Sequence, residues 1–515
     1  MKRLAVILIG VLAALPAAAN DAPALYDVHC AACHGGDRLG AIGPALLPEN
    51  LGRLKPARAR QVVAQGRPAS QMAGFAEVLT ASQIAALVDL IYTPLPAIPD
   101  WGLDQIAESR IVHHDPDGLP DTPQHGADPL NLFTVVETGD HHVTILDGDR
   151  FQPLARFPTR FALHGGAKYS PDGRFVYLGS RDGWITKYDL HALKLVAEVR
   201  AGINMRNIAV AADGRTVMAA NMLPHTLVAF DARTLEPIKV IEVTGKGGKS
   251  SRVSAVYTAA PRKSFIAALK DIPEIWEMSY EKDPEPVAQG FIHDYRAGKE
   301  EGYFDRGAFP VRRIRLDDYL DDFFFDQAYT NLVGAARNAK NGQVVDLTVG
   351  RKVADIALAG MPHLGSGITF EYQGAKVLAT PHLKGAAVSV IDMTSWKTIK
   401  RIDTLGPGFF MRSHENTPFA WTDVFFGPHK DVLHVIDKRT LKIVKTLRPA
   451  PGKTAAHVEF TRDGRYALIS IWENDGAIVV YDAATLEEVK RIPMNKPSGK
   501  YNVFNKITLS SGTSH

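Results

Sequence analysis

The chain has 515 residues, enough for two to four domains. Apolar residues make up 45% and charged residues 22%, the balance of a folded globular protein, which excludes disorder through most of its length. Lys and Arg total 59 against 56 Asp and Glu, a formal charge of +3. There is thus no polybasic footprint for nucleic acid, and an anionic ligand needs a local basic pocket.

Residues 1–19 have the form of a signal peptide. Met1-Lys2-Arg3 supplies the positive start, Leu4 to Leu15 the apolar stretch, and Pro16-Ala17-Ala18-Ala19 a small-residue cleavage site. Its removal leaves a charge of +1. The competing reading is an uncleaved anchor, but the apolar run is too short to span a bilayer. Export is expected.

The chain's two cysteines stand in Cys30-Ala31-Ala32-Cys33-His34. This is the haem c attachment signature, in which two thiols bind the macrocycle covalently and the next histidine ligates iron. A thioredoxin-like redox pair is the alternative, but it needs a preceding strand and a βαβ context. One covalent haem c per chain is expected, with Cys30 and Cys33 attaching it and His34 bound to iron. Residues 20–93 form a small all-α domain, closed by an amphipathic helix from Ala81 to Tyr92. The arrangement resembles class I cytochromes c, which carry a methionine ligand on the loop before the last helix. That resemblance implies Met72 as the sixth iron ligand.

Pro94, Pro96 and Pro99 open a linker over 94–110, expected to be an extended spacer. Residues 111–515 are repetitive. An Asp-Gly turn, a β-rich run, a second turn and an alternating run ending in Asp recur, as from Pro171-Asp172-Gly173 to Tyr188-Asp189. The closing residue falls at 147, 189, 231, 276, 346, 392, 437 and 482, with Trp276 the weakest match. Steps of 42–46 residues mark propeller blades. Eight markers predict an all-β eight-bladed propeller, and one 70-residue step predicts an insertion of roughly 25 residues within Phe291–Phe325.

A single-haem domain ahead of eight blades resembles the cytochrome cd1 nitrite reductases along the whole propeller. The motifs that carry the resemblance are Leu163-His164-Gly165-Gly166, Met361-Pro362-His363-Leu364-Gly365-Ser366-Gly367, Arg412-Ser413-His414 and the ending Pro497-Ser498-Gly499-Lys500-Tyr501-Asn502. The segment around His414 departs from the Lys-Thr-His-Pro context of the reductases. An arginine of their first blade is replaced within Thr138-Gly139-Asp140. These departures are closer to a related family, the periplasmic dihydro-haem d1 dehydrogenases of haem d1 biosynthesis.

The resemblance implies a periplasmic oxidoreductase that binds haem d1 or dihydro-haem d1 non-covalently, as substrate and product. It turns a ring propionate into an acrylate and passes electrons to haem c. His164 is the implied proximal iron ligand, and Arg181, Arg206 and Arg252, at corresponding positions of blades facing the funnel, are candidate carboxylate clamps. His363 and His414, about one repeat apart, are placed by that spacing on one ligand face, with His414 as base and His363 as relay. His382 and His457 are further pocket candidates. The implied partners are the tetrapyrrole, a periplasmic electron acceptor, and transiently a nitrite reductase or a haem d1 carrier. A nitrite reductase, or a non-catalytic haem d1 carrier, are the alternative functions.

Overall fold

The computed structural model describes residues 21–509, except 42, 53, 68–71, 295–298, 337–338, 340 and 359–361. The signal-peptide segment 1–19, part of the loop before Met72, and Met361 of the His363 motif lie outside the described residues. The chain divides into two compact units between Pro96 and Ala97.

The first unit is helical: Ala22–His29, Ala31–His34, Pro48–Leu51, Pro56–Gln65 and Ala81–Ile91. Thr80 starts the last helix with a capping box, its hydroxyl taking Gln83 N while Gln83 bonds back. The apolar stripe Ile84, Leu87 and Ile91 then closes on Tyr26, Leu51 and Leu79.

The second unit is the expected propeller. Among the described residues eight antiparallel sheets form blades and a ninth is a two-stranded hairpin. The strands of a blade follow sequence order from the axis outward, except that blade one takes its innermost strand from the C-terminal segment and blade two gains Ile111–Val112 on its outer edge. Their innermost strands are Pro497–Asn502, Lys168–Tyr169, Asn204–Val210, Val253–Ala259, Asp322–Phe325, Ile368–Tyr372, Met411–Ser413 and Ala455–Phe460, numbered here as blades one to eight. Blade one joins the first and last strands of the ring, since Pro497–Asn502 pairs with Leu132–Glu137. That pairing closes the ring and leaves no free inner edge.

The repeating aspartates have a local cause. Each ends a third strand, and its carboxylate accepts backbone N–H groups two and three residues on. Asp147 takes Asp149 N and Arg150 N, Asp231 takes Arg233 N and Thr234 N, and Asp482 takes Ala484 N and Thr485 N. This cap holds the hairpin to the outer strand. Trp276 breaks the pattern because it lies inside its strand, Glu274–Ser279.

Two boundaries differ from expectation. The spacer read over 94–110 contains a helix, Leu103–Glu108, whose Ile106 is wholly buried against Tyr177 and Val199. Ile106 joins an apolar cluster shared by blades two and three, which also holds Phe230 and Leu235. The insertion is the hairpin Val287–Asp294 with Lys299–Asp305, between the third and outer strands of blade four. The expected region ran too far, because Val311–Arg315 is that outer strand and Asp322–Phe325 begins blade five.

Candidate functional site

In the first unit, Cys30 and Cys33 carry free thiols at the start and within the short helix that ends at His34. His34 is buried, and its Nδ1 faces the Pro44 carbonyl at 2.7 Å. That bond orients the ring and leaves Nε2 as the nitrogen for iron. Gly43 packs so closely on this ring that a Cβ there would meet His34 at 2.7 Å. Burial lowers the His34 pKa, which favours the neutral form that binds metal. The residues fit a haem c. Met72 is half-buried on a loop tied to the preceding helix through Arg67 N donating to Met72 O at 3.0 Å.

In the propeller, antiparallel strands sort residues by end. Those just before an innermost strand share one end of the axial tunnel with the turns between second and third strands. Those just after it lie at the other end. His164 precedes the inner strand of blade two, in Leu163-His164-Gly165-Gly166. Gly165 and Gly166 have φ of 88° and 77°, and a Cβ on Gly165 would meet Asn207 at 2.6 Å, so the turn that presents His164 needs glycine. The His164 Nδ1 faces Arg206 O at 2.9 Å, and Arg181 Nη2 lies 2.9 Å from its Nε2. A guanidinium only donates, so Nε2 presents a lone pair, the arrangement an iron ligand requires. Arg206 itself donates to Ser254 O at 2.7 Å. His164, Arg181 and Arg206 therefore form one cluster, though from different places: a strand entry, a turn and an inner strand.

His363 precedes the inner strand of blade six. Blades two and six stand four apart in a ring of eight and face each other, so His363 lies across the tunnel from His164. Its Nδ1 bonds Phe409 O at 2.7 Å, and its ring packs 4.3 Å from that of Phe409. Burial, opposed by Asp322, lowers its pKa and keeps it neutral. Phe410 links this side to His457, whose ring lies 4.7 Å away. His457 sits at a bulge with φ of 54°, a left-handed conformation uncommon for histidine, and turns its ring toward Tyr501 at 5.2 Å. Burial first, then the Lys500 and Arg412 charges, hold His457 well below the ordinary histidine pKa. Burial pushes Tyr501 up to about 12. At neutral pH the pair is a free base beside a protonated phenol.

The structure moves His414. Counted from the capping aspartates, Trp421 is equivalent to Ala379. Arg412 pairs with the first and Ile368 with the second, so His414 corresponds to Phe370 and follows the last residue of its own inner strand, Met411–Ser413. His363 lies on the entry side of blade six's inner strand. The fifty-residue spacing overshoots the repeat by enough to carry His414 to the opposite end. There it is buried against Phe460, and a Cβ on Gly464 would meet its ring at 2.3 Å. His363 and His414 do not share a ligand face, and His457 takes the place expected of His414. Arg252 reaches the entry end but its guanidinium is engaged by Asp271, with Nε and Nη2 at 2.9 and 2.6 Å. His382 is bonded to Ser389 Oγ at 2.9 Å within its own blade. The sequence named His457 only as a further pocket candidate and did not mark Tyr501 as a site group; the one local signal was the family-like ending that contains Tyr501.

Residues 127–506 match the family model described as cytochrome D1 heme domain, and residues 17–91 match the one described as cytochrome C oxidase, cbb3-type, subunit III. The dihydro-heme d1 dehydrogenase of Pseudomonas aeruginosa is 55% identical over 515 residues, covering 100% of both chains. A nitrite reductase of Stutzerimonas stutzeri is 27% identical over 417 residues, 73% of this chain and 71% of that one. The solved structure of dihydro-heme d1 dehydrogenase NirN in complex with DHE has a TM-score of 0.88 at 56% identity, covering 94% of this chain and 99% of that one.

Proposed function

The chain belongs to the cytochrome D1 heme domain family, and from that premise we propose that it is a dihydro-haem d1 dehydrogenase, which oxidises a propionate side chain of the tetrapyrrole to an acrylate. The observation that carries this reading is the His457–Tyr501 pair on the ligand face, beside the His164 and His363 that face each other across the tunnel. Desaturating a CH2–CH2 unit removes two protons and two electrons. A neutral imidazole held at the side chain accepts a proton at neutral pH, and a phenol that stays protonated donates a hydrogen bond to the carboxylate.

His164 would hold the iron of the tetrapyrrole through Nε2, with Arg181 and Arg206 turning to its carboxylates. Arginine suits this role because its planar fork matches a carboxylate bidentately. His363, fixed by Phe409 O, orients the opposite side. Haem c, held by Cys30, Cys33, His34 and Met72, supplies one-electron redox chemistry when bound. The two electrons would leave for a periplasmic acceptor and the second proton for solvent. Among the described residues no helix is long and apolar enough to cross a membrane.

The test is anaerobic incubation of the purified protein with dihydro-haem d1, following the visible spectrum and the product mass. Loss of two hydrogens is expected. Nitrite turnover without that conversion would overturn the reading in favour of a reductase.

A further inference from the structure

A layer of charge lies deeper in the tunnel than the histidines. Lys168 rises from blade two, yet its ammonium is 5.4 Å from the Tyr257 ring of blade four and within Coulombic reach of Asp322 of blade five and Arg412 of blade seven. Only a point near the axis is close to all three. Register sets Lys168 opposite Tyr177 and Arg412 opposite Trp421, the middle residue of the second strand in both blades. His164 and His363 lie at the entry end, so this layer forms a floor beneath them.

The floor has unmet donors. Among the described residues Arg412 Nε has no hydrogen-bond partner, and its nearest carboxylate oxygen, on Glu459, is 3.8 Å away. Among the described residues the Lys168 ammonium donates no side-chain hydrogen bond, and the residue as a whole is half-buried. The neighbouring carboxylates are partly used: Asp322 takes the Tyr257 hydroxyl at 2.9 Å, and Glu459 takes Asn505 Nδ2 at 3.1 Å. Asp322 and Glu459 offset part of the two enclosed positive charges, and Arg412 Nη1 donates to Met411 O at 2.9 Å; a further carboxylate would meet the donors that remain.

We propose that Lys168 and Arg412 receive a side-chain carboxylate of the tetrapyrrole, the one whose carbons lie at His457 and Tyr501. This rests on the dehydrogenase reading and names the group that this floor holds. Arg412 is within Coulombic reach of both His457 and Tyr501, which places the cation and the base around one side chain. The physical gain is twofold. Anchoring the carboxylate fixes the rotation that presents a C–H bond to the base. Removing a proton next to a carboxylate also builds negative charge beside existing negative charge, and two fixed cations offset it.

The test uses the full chain with haem c attached, titrated with haem d1 and with its methyl-esterified form and read by visible absorption. Lys168→Met keeps the length of the side chain and removes a charge that donates no side-chain hydrogen bond among the described residues, so the fold is retained. We expect it to weaken binding of the acid by about tenfold or more, the effect of one charge-assisted hydrogen bond, and to leave the ester within about twofold. Arg412→Gln should act in the same direction. Equal losses for acid and ester, or none for the acid, would overturn the proposal. If wild type converts dihydro-haem d1 yet Lys168→Met keeps the acid-to-ester ratio, only this inference falls. If wild type binds neither form, the dehydrogenase reading falls with it.

Discussion

Exchanging two buried histidines separates the ligand face from the opposite end of the tunnel. His457→Asn removes the base while keeping a polar group of similar reach beside Lys500, whose backbone N lies 3.5 Å from His457 Nδ1. An imidazole with the ordinary pKa of about 6.5 would be roughly one-quarter protonated at pH 7. His457 is held well below that by burial and by Lys500 and Arg412, so essentially every molecule carries the free base. Losing it should slow single-turnover conversion by about 10²–10⁴ while tetrapyrrole affinity stays near wild type, because His164 and Arg206 are untouched. The acid limb of the wild-type rate should lie below pH 6.5 for the same reason. His414→Leu should do the reverse. It removes the acceptor of Asn416 N at 3.1 Å, a part-buried hydrogen bond, costing about 0.5–1.5 kcal/mol of stability with conversion within twofold of wild type. The assays are anaerobic single-turnover absorption on pre-bound dihydro-haem d1 and urea unfolding of both variants. Full conversion rate in His457→Asn, or lost conversion at unchanged stability in His414→Leu, would refute the placement of the two residues.

Three further outcomes are expected. Cys33→Ala should lose haem stain on a denaturing gel, and Met72→Ala should keep the haem but shift its potential downward, checked by redox titration. Arg206→Ala should weaken tetrapyrrole binding by about 1.5–3 kcal/mol, whereas Arg252→Ala should cost less because Arg252 is already paired with Asp271, whose carboxyl it holds below the usual range despite partial burial. Equilibrium titration of both variants checks the order. His434 is buried and lowered to about 4. The unfolded chain takes that proton near pH 6.5 and the folded chain only near 4. Its contribution to stability is therefore lost as pH falls through this window, by up to about 3 kcal/mol. Urea midpoints of His434→Gln should fall less steeply over the same range, and parallel curves would count against it.

What could be read along the chain was whatever is written in local interactions. The Cys30–His34 motif is five consecutive residues on one turn of chain. The blade count was legible because each aspartate caps its own hairpin, a contact spanning two or three residues, so its spacing survives in sequence. The overreach of the insertion to Phe325 has the same origin: without its aspartate, blade four offered no marker for where its outer strand resumed. The site was another matter. Whether a histidine faces the ligand depends on which end of an inner strand it occupies, and a few residues of register separate His457, turned inward by a bulge, from His414 at the far end. Arg252 looked like its neighbours until the fold brought Asp271 to it. Lys168 and Arg412 lie 244 positions apart in the chain and meet only because eight sheets close on one axis. Local caps determined how many blades there are, and ring closure decided which side chains share the tunnel.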